Sequence, residues 1–494
     1  MLLATLLLLP FLNTPFTIDD PIYLREAQHA LVEPLHPQAF SMVWSTDLNL
    51  RASQILPGGV AAAYLLIPTA LAGCQEWAGH LTQLILLLAA LFAVALLALR
   101  LGMDHRQARW AALLTAACPA VLGMAGTVMP DVPAMLFATL GMERILAWGD
   151  EQKWHQALLA AIWLALAALT RTHTLLILAP ALVLLLNRIN PIRFLPLLLA
   201  PLLFFALATL TADPDFQGEN ILGSMLHLPG GLHLLAQNAC AFLAHWLLVI
   251  PLTLPWLVMR FRRGPTLAAA IIWIAAAVTA SIVALADILW DAIQRRDRVQ
   301  FALWLWLLLA LPAIFYIHLP SKYLLPSVPA AVILVVRQSR RADIPWLVPA
   351  TALAGSILGL LILLGIRDLA GTQRRAVTDL VAPHVKQEER VWFAGHWGFQ
   401  WYAEHAGASP VTLVPPQPVP GDIIVVSRID LPRFPPTWAA RTVLQTVSYP
   451  TNGLGRVMDL HSRAGFFSSI YGYLPWTPGS GDDNRFEVWR VTEF

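Results

Sequence analysis

Long uncharged apolar runs recur along the chain at spacings that predict one helix after another. Residues 81–99, 110–128, 194–210, 266–286 and 345–364 approach or reach the ~20 residues a helix needs to cross the hydrocarbon layer, so each predicts a transmembrane helix. Two shorter runs, 157–170 and 174–186, flank Arg171 and predict a tight helical hairpin, while 301–318 and 323–336 flank Lys322. Short spans meeting at one cation predict a buried polar site. The first run, 2–12, is too short to span comfortably and lacks the basic flank and small-residue cleavage site of a signal peptide, so the natural start is expected a few residues upstream.

Basic residues set the expected orientation, because cytoplasmic loops accumulate Lys and Arg. Arg100, Arg106 and Arg109 form one cluster; Arg144 with Lys153, Arg188 with Arg193, and the Arg-rich stretches 260–263, 295–298 and 337–341 form the others. The opposite loops hold only Arg25, Arg51, Arg171 and Lys322 and are expected to face outward. Basic clusters bracket the apolar stretch 266–286 on what must be one side, so residues 266–294 are read as a short hairpin, for about thirteen crossings at the helical rise per residue.

Two stretches break the membrane pattern. The segment from 14 to 80 is far longer than the ~2–8 residues usual between bundled helices; residues 21–32 read as a helix and 55–72 as an apolar stretch lying along the outer membrane face. From about Gly371 apolar blocks become short and alternate with turn residues. There 390–394, 423–426, 441–447 and 486–491 predict strands and 396–406 a helix. The expected fold is therefore an α-helical polytopic membrane protein, residues 1–370, with a small extracytoplasmic α/β domain, residues 371–494.

Composition agrees: 57% of the 494 residues are hydrophobic and 13% charged, against roughly 25% charged in an ordinary soluble chain. A net charge of +2 provides no global field for nucleic acid. Cys74, Cys118 and Cys240 have no metal-ligand spacing and read as small apolar residues.

Candidate chemistry begins at Asp19 and Asp20, an acidic pair at the mouth of an apolar bundle, which points to a functional site. With Asp19-Asp20-Pro21-Ile22-Tyr23, the stretches Met129-Pro130-Asp131-Val132-Pro133, Leu169-Thr170-Arg171 and Ser321-Lys322-Tyr323-Leu324-Leu325-Pro326 fall in order on one membrane face. In these motifs the chain resembles the GT-C fold glycosyltransferases that use polyprenyl-phosphate sugars, especially the aminoarabinose-transferase-like and protein O-mannosyltransferase-like branch. It departs from that pattern in having Asp20 where Glu is frequent, Arg171 where Lys is frequent, and Leu56-Pro57-Gly58-Gly59 where a His-Pro-Pro element is common.

The resemblance implies an inverting transfer of a sugar from a polyprenyl-phosphate carrier to a hydroxyl on a lipid, polysaccharide or protein, at the outer face of a bacterial-type cytoplasmic membrane. Such a transfer needs a base for the acceptor proton and cations for the departing phosphate. Asp19 is the expected base, Asp20 supports it, Asp131 and Tyr23 orient the acceptor, and Arg171, Lys322 and Tyr323 hold the donor phosphate. No metal site is assigned, though a divalent cation is compatible. His173 reads as a satisfied polar residue, Glu26, Asp47 and Arg51 as solvated loop, and the aromatic stretch 395–402 as core.

Bland alternatives exist for each candidate. Asp19, Asp20 and Asp131 all stand where helix N-caps are found, and Arg171 and Lys322 are placed to snorkel. A transporter or lipid-carrier flippase, or a non-catalytic glycan-binding envelope protein, are the alternative classes.

Overall fold

The computed structural model describes residues 1–44, 48–56, 58–186, 194–216, 231–246, 282–283, 285–341, 343, 345–412, 415–429, 441–450, 453–479 and 484–492. Most of the proposed hairpin 266–294, Asp47, and the basic stretches 188–193 and 260–263 lie outside the described residues.

Among the described residues three helices are long and apolar enough to cross a membrane: Glu76–Arg100, Arg298–Phe315 and Leu347–Lys386. Glu76 in the first turn and Arg100 in the last complement the dipole of the first of these. The run 110–128, read as one span, is instead two helices, His105–Ala116 and Pro119–Ala125, bent by 57°. The cause is Pro119, which has no N–H to continue the ladder and starts a new helix at its first position.

Each expected break at a cation is present. Helix Trp154–Thr170 stops at Arg171, whose backbone is extended (φ −147°, ψ 106°), and a 3₁₀ segment Thr172–Ile177 leads into Leu178–Leu185. Lys322 lies in the 3₁₀ segment Ser321–Ser327, which contains Pro326 and precedes Val328–Arg341. Irregular backbone at membrane depth is tolerated where it is buried in protein or lines a cavity, which makes these breaks natural site positions.

The first long loop is built from α-helix Asp20–Ala30, an antiparallel hairpin of β1 (Ser41–Trp44) with β2 (Leu48–Arg51), and short helices Ala52–Ile55, Val60–Leu65 and Ile67–Leu71. The sequence reading missed the hairpin. Gln38 staples this loop: the two hydrogens of its Nε2 are shared among Glu26 Oε1 at 2.8 Å, Leu56 O at 3.1 Å and Gly58 O at 2.8 Å. Gly59, at φ +82°, turns the chain into Val60–Leu65, a conformation that glycine adopts without cost.

At the C-terminal end, helix Leu347–Ala376 runs through Gly371 and continues by a π-turn, Val377–Val381, into Ala382–Lys386, so the change in composition at 371 falls inside an element. A five-stranded sheet follows, in the order β4 (Ser409–Pro410), β3 (Val391–Ala394), β5 (Ile423–Ser427), β9 (Arg485–Val491), β6 (Arg441–Ser448), while β7 (Met458–Asp459) and β8 (Ala464–Gly465) form a separate antiparallel pair. β3 is parallel to β4 and β5, and β9 is antiparallel to β5 and β6. Every residue of β3 and β5 is buried, which explains sequences that are apolar at every position but Ser427 at the end of β5.

Between β6 and β9 the chain returns to the helical bundle. Phe466, Phe467 and Tyr471 join the same apolar core as Leu122 and Ile362. Ser321 N donates to Phe466 O at 2.8 Å, and Leu319 N to Ser469 Oγ at 2.9 Å. Backbone from the tail thus braces the segment that carries Lys322.

Candidate functional site

Asp19 precedes helix Asp20–Ala30, yet its side chain caps nothing. It accepts a hydrogen bond from Lys322 Nζ at 2.7 Å across 303 residues of chain. Both side chains are largely buried, Lys322 at 5% and Asp19 at 13% exposure, so neither is a surface charge and Lys322 does not snorkel to the headgroups. Burial raises the Asp19 carboxyl, but Lys322 and Arg171 together outweigh that effect and hold it below the ordinary carboxylate range. Ile18, just before it, has φ +50°, an uncommon conformation for a β-branched residue and a mark of local strain beside Asp19.

Asp20 has a different task. Its Oδ2 accepts from Thr17 N at 3.0 Å and its Oδ1 from Val128 N at 2.9 Å, tying the acidic loop to the loop before Asp131. It is fully buried, and desolvation pushes its carboxyl up to about 7 against the pull of those two donors.

Asp131 and Arg171 form the second pair. Arg171 Nε and Nη2 each donate at 2.9 Å to the two Asp131 oxygens, a bidentate contact in which Asp131 is fully buried. Arg171 also lies over the Tyr323 ring, 5.8 Å from its centroid. The charges of Lys322 and Arg171 both act on Asp19, so the two ion pairs belong to one site. Asp131, expected to orient the acceptor, faces Arg171 directly.

A cavity of about 110 Å³ opens beside this cluster, lined by Tyr23, Gly58, Gly59, Arg171, His173, Tyr316 and Tyr323 among others. A larger one, about 430 Å³, adjoins it at Gly58 and Thr172; its wall is mainly apolar, with Val60, Leu169 and Phe204, but also includes Gln38, Ser53 and Asp213. Tyr23, expected on the acceptor side, lines the smaller cavity together with Arg171 and Tyr323.

Several site residues escaped the sequence reading. Tyr316 is unassigned there and His396 is read only as part of the core stretch 395–402; Tyr316 lines the smaller cavity, and His396 is close enough to Asp19 to feel its charge. Glu26, read as solvated loop, is fully buried, and Arg51 is held by Asp213, its Nε at 2.8 Å from Oδ2. Buried polar residues in an amphipathic loop have no periodicity of their own, so only a partner reveals them. The stretch 395–402 packs as core: Phe399 and Trp401 are buried, and Trp397 lies 6.2 Å from the Tyr471 ring. The described residues contain no group of three or more His, Cys, Asp or Glu side chains arranged to hold a metal ion.

Among solved structures, the chain superposes on ArnT from Cupriavidus metallidurans in the apo state, at 13% identity and a TM-score of 0.51, covering 86% of this chain and 91% of that one. The same protein bound to undecaprenyl phosphate gives 12% identity and a TM-score of 0.50 over the same shares. This chain has the GT-C fold. The sequence pattern of the dolichyl-phosphate-mannose-protein mannosyltransferase family matches residues 59–211. That stretch of the GT-C chain contains Asp131 and Arg171 but neither Asp19 nor Lys322. No curated protein sequence matches.

Proposed function

We propose that this chain is an inverting membrane glycosyltransferase that moves a sugar from a polyprenyl-phosphate carrier to a hydroxyl acceptor on the outer face of a bacterial-type cytoplasmic membrane. The observation that carries the reading is the buried pairing of Asp19 with Lys322 beside that of Asp131 with Arg171. Burying two ion pairs is expensive, and such pairs are weak evidence for stability alone, so a substrate role accounts for them better.

In the proposed reaction the donor phosphate competes with Asp19 for Lys322 Nζ. Arg171, with two nitrogens held by Asp131, retains further N–H donors for the phosphate. The acceptor oxygen attacks the anomeric carbon on the face opposite the phosphate, the carbon–oxygen bond to phosphate breaks, and Asp19 takes the acceptor's proton. Asp20 and Tyr323 support these groups, Asp20 by fixing the loop and Tyr323 from the donor side. The mainly apolar cavity of about 430 Å³ suits the carrier's first isoprene units or an acceptor's lipid tail. Residues 1–370 would form the catalytic unit and 371–494 its extracytoplasmic cover.

Incubating the purified protein with polyprenyl phosphates bearing different sugars, together with crude envelope acceptor, and following donor consumption tests the reading. Turnover is expected with at least one donor, with inverted anomeric configuration in the product, and Asp19→Asn is expected to lower it by ~10²–10⁴. A folded Asp19→Asn protein with near-normal turnover, or a product of retained configuration, would reject the mechanism.

A further inference from the structure

His173 is the one ring in the smaller cavity whose hydrogen bonding fixes what it offers a ligand. Arg171 is extended, so the chain re-enters helix only at Thr172, and this turn delivers His173 to the cavity wall two residues after the guanidinium. The imidazole packs 5.5 Å from the Tyr323 ring and hydrogen-bonds the Tyr323 backbone. Its Nε2 is shielded from solvent and has no partner among the described residues. A ring that donates from Nδ1 to a carbonyl carries its lone pair on Nε2, so this nitrogen is an acceptor seeking a donor.

Tyr23 supplies the complementary half. Its side chain is fully buried, lines the same cavity, and its Oη likewise has no partner among the described residues. Leaving a buried polar atom unpaired costs roughly 1–3 kcal/mol, and two such atoms on residues that line one cavity beside a cation point to a ligand that pairs with both. A phosphate oxygen is itself an acceptor and is repelled by the Nε2 lone pair, so His173 does not read phosphate. A hydroxyl donates to His173 and can give to or take from Tyr23. The Tyr316 and Tyr323 rings add the flat apolar surfaces that suit the C–H face of a sugar ring.

We infer that His173 Nε2 and Tyr23 Oη form the hydroxyl-reading subsite for the sugar carried by the donor, an assignment that rests on the transferase reading and moves Tyr23 from the acceptor to the donor side. Sites built to hydrogen-bond a hydroxyl discriminate strongly against ligands that cannot supply it, so this pair would select the sugar while Lys322 and Arg171 hold the phosphate common to every donor.

The test compares binding of undecaprenyl phosphate with binding of undecaprenyl phosphates carrying mannose, glucose or arabinose, to the full-length protein in nanodiscs. Wild type, His173→Phe, His173→Gln and Tyr23→Phe are measured. At least one sugar is expected to tighten binding over the bare carrier by about tenfold or more. That gain falls by about tenfold in His173→Phe and Tyr23→Phe and returns in part in His173→Gln, whose amide oxygen is again an acceptor. The bare carrier, which also reports correct folding, is expected to bind all four proteins alike. An unchanged sugar gain in both Phe variants, parallel weakening of the bare carrier, or no gain from any sugar would overturn the assignment. Failure of the bare carrier to bind wild type would instead remove the transferase reading, and this one with it.

Discussion

At the scale of single residues, two adjacent carboxylates have opposite environments. Asp19 meets a cation and is held ionised, whereas Asp20 meets two backbone N–H groups in a dry pocket and is pushed up to about 7. Between its ordinary value of 3.8 and about 7, Asp20 binds more protons folded than unfolded, so its contribution to stability falls as pH rises through that window and levels off above it. Thermal unfolding in detergent from pH 4.5 to 8 is expected to show this decline in wild type and a flatter profile in Asp20→Asn; equal slopes would contradict the assignment. The acidic pair was legible in sequence because charge is rare in such a chain. Asp19 is the expected base and Asp20 its support from sequence alone, but both positions resemble helix caps and the different partners that separate them were not legible.

At the scale of elements, the cation-bearing breaks were legible because short apolar runs on either side of one charge cannot form a single span. The bend at Pro119 was legible in principle, but the uninterrupted hydropathy of 110–128 outweighed it in the reading. Hairpin β1 with β2 left almost no trace, because strands of four residues carry too little alternation. Close contact between elements is where a single methyl has the greatest effect. A Cβ on Gly398 would stand 2.2 Å from Phe16 O, in the segment leading to Asp19, whereas one on Gly371 meets nothing within 4 Å. Gly398→Ala is therefore expected to cost about 1–3 kcal/mol and to depress turnover. Gly371→Ala, inside a helix, is expected to gain roughly 0.5–1 kcal/mol. Unfolding temperatures of the two variants check both signs, and a neutral Gly398→Ala would show that helix Trp397–His405, which carries Gly398, does not abut the Asp19 segment.

At the scale of the molecule, the tail is part of the bundle's support. Phe466 and Phe467 are buried in the core of the helical part, and Ser469 Oγ accepts from Leu319 N just before Lys322 and donates to Asn238 Oδ1 at 2.7 Å. The apolar runs made the membrane part legible, and the switch to short alternating blocks marked the strands. The return of 455–477 to the bundle was not legible, because a few aromatic residues within a soluble-looking segment look the same whether they cover a sheet or a membrane core. Truncation after Lys386 should leave that core exposed, giving an aggregated species on size-exclusion chromatography; a monodisperse, active product would show the tail to be dispensable. The central claim is that Lys322 and Arg171 converge on a lipid-linked phosphate beside Asp19. Cryo-electron microscopy of the protein with undecaprenyl phosphate tests it most directly: the phosphate is expected within hydrogen-bonding reach of Lys322 Nζ, with Asp19 released from that nitrogen. A phosphate bound elsewhere, with the pairing of Asp19 and Lys322 unchanged, would contradict the account.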